Sequence, residues 1–262
     1  MLRAIWNSVS AMNAQQDKLN SISNNLANVD TVGYKKENVE FNDLVYETLN
    51  RKGYPTNPNG TNTINGTGVK ATEWIRDNTQ GPIQQTGLKT DMAIDGDGYF
   101  KVTLGNGTAA YERAGSFTVD RNGNLVDSNG NKLEVNLTAE GSSLFNSGMV
   151  FKDNNFKVDE KTGQIYMNVG NQSILYGRIN IYNAVGQDSM KSIGDNLYQP
   201  ANNVQMNINT KAHVIQGYLE QSNVDLGREI TDMIMAQRSF ELASKGLTTS
   251  DEMWGLINSM KR

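Results

Sequence analysis

Apolar residues recur at alternating steps of three and four at both ends of the chain. Near the start the row is Leu2, Ile5, Val9, Met12, Leu19, Ile22 and Leu26, with Gln16 filling one place. Near the end it is Leu226, Ile230, Met233, Gln237, Phe240, Leu247, Trp254 and Ile257, widened by Ile234, Ala236 and Ala243. Ser244 and Asp251 fill seam positions of that second row imperfectly. The rhythm predicts two amphipathic helices, each packing lengthwise on another helix. A single such helix usually covers a globular core; one at each terminus of a chain points to a terminal helical pair.

The first helix is expected to stop near residue 28, where Asn28-Val29-Asp30-Thr31-Val32-Gly33-Tyr34 supplies residues that tolerate left-handed backbone. A second short amphipathic helix is expected over 39–49. Residues 51–68 are rich in turn formers and poor in core residues, which predicts a linker or long surface loop. From Trp74 to about Tyr198 the period changes to two. Asn106-Gly107, Asn122-Gly123 and Asn129-Gly130 stand between alternating segments such as 99–104, 116–119 and 132–135, the strongest local signal for hairpins. Phe100, Val102, Leu104, Phe117, Val119, Leu125, Ile165, Ile179 and Ile181 are the expected core of this block. The fold class is therefore α+β: terminal helices paired in a coiled-coil-like domain, with a mainly antiparallel β middle domain. The expected divisions are 1–33 with 224–262 for the helical domain, 34–73 with 199–223 for extended connections, and 74–198 for the β domain.

Charge and composition narrow the choice of partner. The net charge of −4 is spread without a basic stripe, which argues against nucleic acid. There are no cysteines, so disulfides, thiolate metal sites and cysteine nucleophiles are excluded. No run approaches the length of a membrane-spanning helix, and no membrane insertion is expected. Arg3 is followed by an apolar pattern interrupted at Asn7, Ser8, Asn13, Gln15, Gln16 and Asp17, which is not a signal-peptide core. If the chain leaves the cytoplasm, a cleaved general-secretion signal is not expected to carry it.

Candidate chemistry is thin. Asp95 and Asp97 place paired carboxylates in one extended segment, the arrangement of a carbohydrate-active or calcium site, but the intervening glycines favour a turn. The loops opening at Asp120 and Asp127 bring Gly two positions too early for a calcium loop, and Asn131 and Thr138 stand where a closing Glu belongs. Gly66-Thr67-Gly68-Val69-Lys70-Ala71 matches the letters of a dinucleotide fingerprint without its strand and helix. His213 is the only histidine and lies in an alternating stretch, which favours a structural role. No catalytic residue, metal or cofactor is called for.

Residues 24–35, Asn-Asn-Leu-Ala-Asn-Val-Asp-Thr-Val-Gly-Tyr-Lys, closely resemble the N-terminal signature of the bacterial flagellar rod and hook proteins. Leu219–Leu226, Ala236–Glu241 and Thr249–Met253 resemble the family's ending. Ala93–Phe100 and Tyr111–Phe117 resemble the central domain of its larger members. Phe41–Thr48 and Gly66–Val69 are most similar to the distal branch of the rod, with the rod protein of similar size as the alternative. Ser239-Phe240 departs from the usual Ala-Tyr, Ala243 stands where Asn is common, and Gly246 interrupts the closing helix.

The resemblance implies a structural, non-enzymatic subunit of the basal body, outside the cytoplasmic membrane, that polymerises helically. Its implied partners are other copies of itself, other rod proteins, the hook protein, the surrounding ring bushing and the flagellar type III export apparatus. The residues expected to carry self-assembly are Leu2, Ile5, Val9, Met12, Leu19, Ile22, Asn24, Asn25, Leu26, Ala27, Asn28, Thr31, Gly33 and Tyr34 at the start. At the end they are Ser222, Asn223, Val224, Ile230, Met233, Ile234, Gln237, Arg238, Phe240, Leu247, Trp254 and Ile257. A secreted carbohydrate-binding or carbohydrate-active β domain centred on Asp95 and Asp97 is the competing expectation. The two apolar seams bury less than helix ordering costs, so both ends are expected to order only on assembly.

Overall fold

The computed structural model describes residues 2–44, 47–48, 64–146, 151–152, 155–170, 172–186, 189–201 and 204–260. Most of the expected 51–68 loop, together with Val45 and Tyr46, lies outside the described residues. In chain order the elements begin with α1 (Leu2–Ala27), β1 (Glu37–Asp43), β2 (Glu47–Thr48), β3 (Ile64–Asn65), β4 (Val69–Arg76) and β5 (Ile83–Gln85). Next come β6 (Met92–Asp95), β7 (Tyr99–Thr103), β8 (Ala109–Glu112), β9 (Thr118–Val119), β10 (Leu125–Val126), β11 (Lys132–Leu133) and β12 (Val135–Leu137). A short α2 (Ala139–Asn146) precedes β13 (Phe156–Val158), β14 (Gln164–Val169), β15 (Gln172–Ile179) and β16 (Ile181–Ala184). The chain closes with β17 (Met190–Gly194), β18 (Leu197–Pro200), β19 (Met206–Ile208), β20 (His213–Gln216), β21 (Tyr218–Glu220) and α3 (Leu226–Met260). They fall into two compact units: Met1–Ala27 with Glu37–Ile75 and Asp225–Arg262, and Asn28–Lys36 with Arg76–Val224.

In the first unit α1 packs along α3. Asp225 caps α3, its Oδ1 accepting from Gly227 N at 2.9 Å and Arg228 N at 3.2 Å. The pair is antiparallel. Asn25 of α1 meets Glu229 of α3, while a Cβ on Gly246 would lie 3.1 Å from Ser8 Oγ, and seventeen residues separate the two contacts on either helix. Gly246, an apparent flaw in the closing helix, sits where the two helices approach closely. Residues 37–43 form strand β1, paired with β4 in a two-stranded ribbon, where a short helix was expected over 39–49. Glu37 and Val39 are half-buried while Asn38 and Glu40 face solvent, a period of two that a loosely spaced apolar pattern does not reveal.

In the second unit the Asn-Gly turns behave as expected. Asn106-Gly107 joins β7 to β8, Asn122-Gly123 joins β9 to β10, and Asn129-Gly130 joins β10 to β11, all antiparallel. A nine-stranded sheet runs β17-β18-β8-β7-β11-β10-β9, with β16 on β7 and β19 on β16; a four-stranded sheet runs β12-β15-β14-β13. The shorter pairs are β20-β6 and β21-β5. Thr138 starts α2, its Oγ1 accepting from Gly141 N. Every expected core residue lies in or against one apolar cluster, which also takes in Met92, Ile94, Phe151, Phe156, Tyr176, Leu197 and Val214. Tyr99, Tyr111, Met190 and Tyr198 form a second, smaller cluster.

Candidate assembly site

The face of α3 that packs overlaps the one the apolar spacing picks out and is extended by polar positions. Glu229, Ala236 and Ser250 are buried, with Met233, Phe240, Ala243 and Leu247 half-buried between them. That is a regular four-three seam, which shares Met233, Phe240 and Leu247 with the expected row and Ala236 and Ala243 with its widening, and adds the polar Glu229 and Ser250. On α1 the buried positions are Ala14, Ser21, Ile22 and Asn25. Small residues let the helices come close, and the larger apolar residues are left outside. Leu226, Ile230, Ile234, Met235, Leu242, Met253, Trp254, Leu256, Ile257 and Met260 of α3 are all exposed, as are Trp6 of α1 and the polar Gln237 and Arg238. Ile5, Val9, Met12, Leu19 and Leu26 are half-buried, Asn24 and Ala27 exposed, and the side chain of Leu2 lies outside the described residues.

A polar clamp holds the end of α1. Asn25 Oδ1 accepts from Glu37 N at 2.9 Å, and its Nδ2 donates to Glu37 O at 3.0 Å and to Glu229 Oε2 at 3.2 Å. Ser21 Oγ donates to the same Glu37 carbonyl at 2.6 Å. Of the asparagines in the signature, Asn25 thus locks the helix end to the strand that follows and to the start of α3.

The rest of the signature belongs to the second unit, as a strap over 28–36. Thr31 N donates to Asn28 O at 3.1 Å and Tyr34 N to Thr31 O at 3.2 Å, which turns the strap back on itself. Gly33 N donates to Glu220 O at 2.8 Å. Asn196 Nδ2 donates to Val32 O at 2.9 Å from a left-handed turn position, φ 59°, that asparagine tolerates better than most residues.

Glu220 is the centre to which the signature motifs run. Its Oε2 accepts from Arg113 Nε at 2.6 Å, and its Oε1 from Lys35 Nζ at 2.7 Å and Gly81 N at 2.9 Å. Arg113 then donates to the carbonyls of Gly98, Gly96 and Ile94 at 2.6, 2.7 and 3.2 Å, and Lys35 to Thr79 O at 2.7 Å. All three charged residues are 3% exposed or less, which leaves these bonds without competition from water. Burial, then the neighbouring Arg113 charge, pulls the Lys35 ammonium below the ordinary lysine value, and the bond to Glu220 opposes this. The Asp95–Gly98 segment therefore wraps a guanidinium with its carbonyls, and its glycines serve that wrap. His213 pairs with Asp95 across β20 and β6, in a structural position. Asp120 and Asp127 cap their own turns: Asp120 Oδ1 accepts from Arg121 N, and Asp127 Oδ1 from Asn129 N and Asn131 N. Among the described residues no group of three or more His, Asp or Glu is placed to hold a metal ion.

Gly33 is irreplaceable for two separate reasons. Its φ is +68°, and a Cβ there would lie 2.6 Å from Ala114 N and 2.8 Å from the Arg113 carbonyl carbon. Gly33→Val should destabilise the unit by about 2–4 kcal/mol and free the strap. Neither apolar cluster contains a residue of 28–36, so amide exchange at Phe100 and Ile165 should still show a folded core. Loss of protection there would show the strap to be part of the core.

Lys35, Arg113 and Glu220 were missing from the expected assembly residues, although all three lie inside the signature motifs. No local signal singles them out, since each stands beside another polar residue: Lys36, Glu112 and Gln221.

The paired chain ends leave large apolar side chains uncovered, and the comparisons with known proteins identify the class as that of the flagellar rod and hook proteins. Three family descriptions match the chain: Flagella basal body rod protein over residues 5–35, Flagellar hook protein FlgE/F/G D1 domain over 93–216, and Flagellar basal body rod FlgEFG protein C-terminal over 215–260. The chain is 38% identical to the flagellar basal-body rod protein FlgG of Borreliella burgdorferi and 35% identical to that of Bacillus subtilis, over the full length of both chains in each case. It is 37% identical to the flagellar hook protein FlgE of Helicobacter mustelae over 61% of this chain and 35% of that one. The chain belongs to the flagellar basal-body rod protein FlgG family. Among the described residues no helix is long and apolar enough to cross a membrane.

Proposed function

We propose that this chain is a structural subunit of the distal rod of the bacterial flagellar basal body. It self-assembles helically into the drive shaft that carries torque from motor to hook. The observation that carries this reading is the uncovered apolar row along α3: Ile230 and Ile234, off the seam with α1, and Trp254 and Ile257, where the seam runs on past Ser250, are each more than a third exposed. An apolar row of that length is an interaction surface, and a helical polymer supplies its cover from other copies of the same helix. Leu2, Ile5, Val9, Met12, Leu19, Ile22 and Leu26 of α1 join Met233, Gln237, Arg238, Phe240 and Leu247 of α3 in the inner contacts. The partners are further copies, neighbouring rod proteins, the hook, the ring bushing and the type III export apparatus, which takes the chain without a cleaved signal. Both helices order fully only when neighbouring copies surround them.

Ile234→Asp tests the surface. Burying an isoleucine is worth ~1.5–3 kcal/mol, so the concentration needed for polymerisation should rise about 10- to 100-fold. The monomer should melt as before, because the side chain is exposed there. Sedimentation across a concentration series reads this, and an unchanged threshold sinks the assignment. Amide exchange along α3 should be fast in the monomer and slow in the polymer.

A further inference from the structure

Four chain segments lead into or out of the second unit: the strap at Asn28 and again at Lys36, the main body at Arg76, and its close at Val224. Load applied through the chain reaches the β core along these covalent routes. Separate routes share load only when fastened to one another, since a loose one gives slack until the next tightens.

One side chain does most of the fastening. Asn223 Oδ1 accepts from Lys36 N at 2.7 Å, and its Nδ2 donates to the carbonyls of Asp77 and Thr79 at 2.9 and 3.0 Å. Around it, Asp77 N donates to Lys36 O at 2.8 Å and Gln221 N to Pro82 O at 2.9 Å. The fourth route, at Asn28, is held through Gly33 N on Glu220 O. A carboxamide carries an acceptor and two donors in one plane, which a carboxylate or hydroxyl cannot match. Three routes thus meet on a group chemically suited to tie all three.

We propose that Asn223 is the positioning residue of a torque coupling. By fastening the segments at Lys36, Asp77–Thr79 and its own place to one another, it delivers twist to the β unit through several segments at once. The inference rests on the rod-subunit reading, and its test separates the two. Cells whose only copy of this chain carries Asn223→Ala or Asn223→Asp are compared with wild type by bead rotation at low and high viscous load, alongside counts of completed hooks. Asp retains the acceptor for Lys36 and loses both donors.

The coupling requires the ratio of high-load to low-load speed, taken on cells with completed hooks, to fall below the wild-type ratio in both variants. In the purified full chain the Lys36 amide should exchange about tenfold faster, with Phe100 and Ile165 unchanged. A wild-type ratio in either variant overturns the coupling and leaves the rod reading intact. Loss of core protection at Phe100 and Ile165 in both variants also overturns it, because Asn223 would then be supporting the core. Complete, rotating flagella in cells lacking the chain altogether would sink the rod reading itself.

Discussion

Glu220→Gln should destabilise the second unit by about 3–5 kcal/mol, while Lys35→Met should cost less than about 1.5 kcal/mol. Both substitutions break the same 2.7 Å ion pair, so a count of lost salt bridges would rate them alike. Charge balance separates them. The buried cluster holds two cations and one anion, Lys35, Arg113 and Glu220. Removing the anion leaves two buried positive charges facing each other, offset near Lys35 only by the weaker influence of Asp77. Removing Lys35 leaves a matched Arg113–Glu220 pair, and the Thr79 carbonyl it gives up still accepts from Asn223 at 3.0 Å. Arg113→Met should fall between the two, since it leaves a matched Lys35–Glu220 pair but strands the carbonyls of Ile94, Gly96 and Gly98. Urea titration followed by near-UV circular dichroism of tyrosine reads the order. Trp6, Trp74 and Trp254 all lie in the first unit, so tryptophan fluorescence would report the wrong half of the molecule. Equal costs for Glu220→Gln and Lys35→Met would show that charge balance does not govern the cluster.

That cluster also marks what the sequence does and does not reveal. Features set by neighbours along the chain were legible: the three Asn-Gly hairpins, the end of α1 before Asn28, and the alternating core residues from Phe100 to Ile181. Each follows from backbone preferences of adjacent residues or from a regular period. The Glu220 cluster draws on single residues 107 and 185 positions away, and nothing periodic announces them. The signature motifs contained all three residues, yet their convergence is a property of the folded sheet alone. The strands β19 to β21 were read only as a connection because their short runs lack flanking turn signals of the Asn-Gly kind.

The polar members of the helical seam went unread for a different reason. A hydrophobic row identifies the greasiest face of a helix, and this helix has two faces to bury. The intramolecular seam uses Glu229, Ala236 and Ser250, which score poorly as apolar positions but permit close approach and a buried polar bond. Bulky residues at those places would have held α1 away. The greasier row is left for contacts that a single chain cannot make. Spacing thus found five of the seven seam positions and missed the polar two, Glu229 and Ser250.

Stability of the β unit should fall as pH rises from about 4.5 to 8, and Glu112 is the cause. Glu112 lies on β8 between Phe100 of β7 and Leu197 of β18, on the face of the main apolar cluster, while Tyr111 points to the smaller cluster on the other side. Its Oε1 has no hydrogen-bond partner, and the side chain is buried. Lys101 is paired with Glu134 on the Tyr111 side, Arg113 is committed to Glu220, and among the described residues the charge that acts on Glu112 is the like-signed Asp127. Burial first, and Asp127 second, raise its pKa from 4.5 to about 8. Between those values the folded unit holds a proton that the unfolded chain has released, so each step up in pH favours unfolding. The stabilisation is complete below about pH 4.5 and gone above about 8, a span on the order of 4 kcal/mol. Glu112→Gln removes the titration but buries an amide whose donors lack partners, at about 1–3 kcal/mol independent of pH. The variant should therefore be less stable than wild type at pH 5 and more stable at pH 9, with the two curves crossing near neutrality. Urea midpoints at the two pH values decide it, because parallel curves would mean that Glu112 keeps its charge when buried.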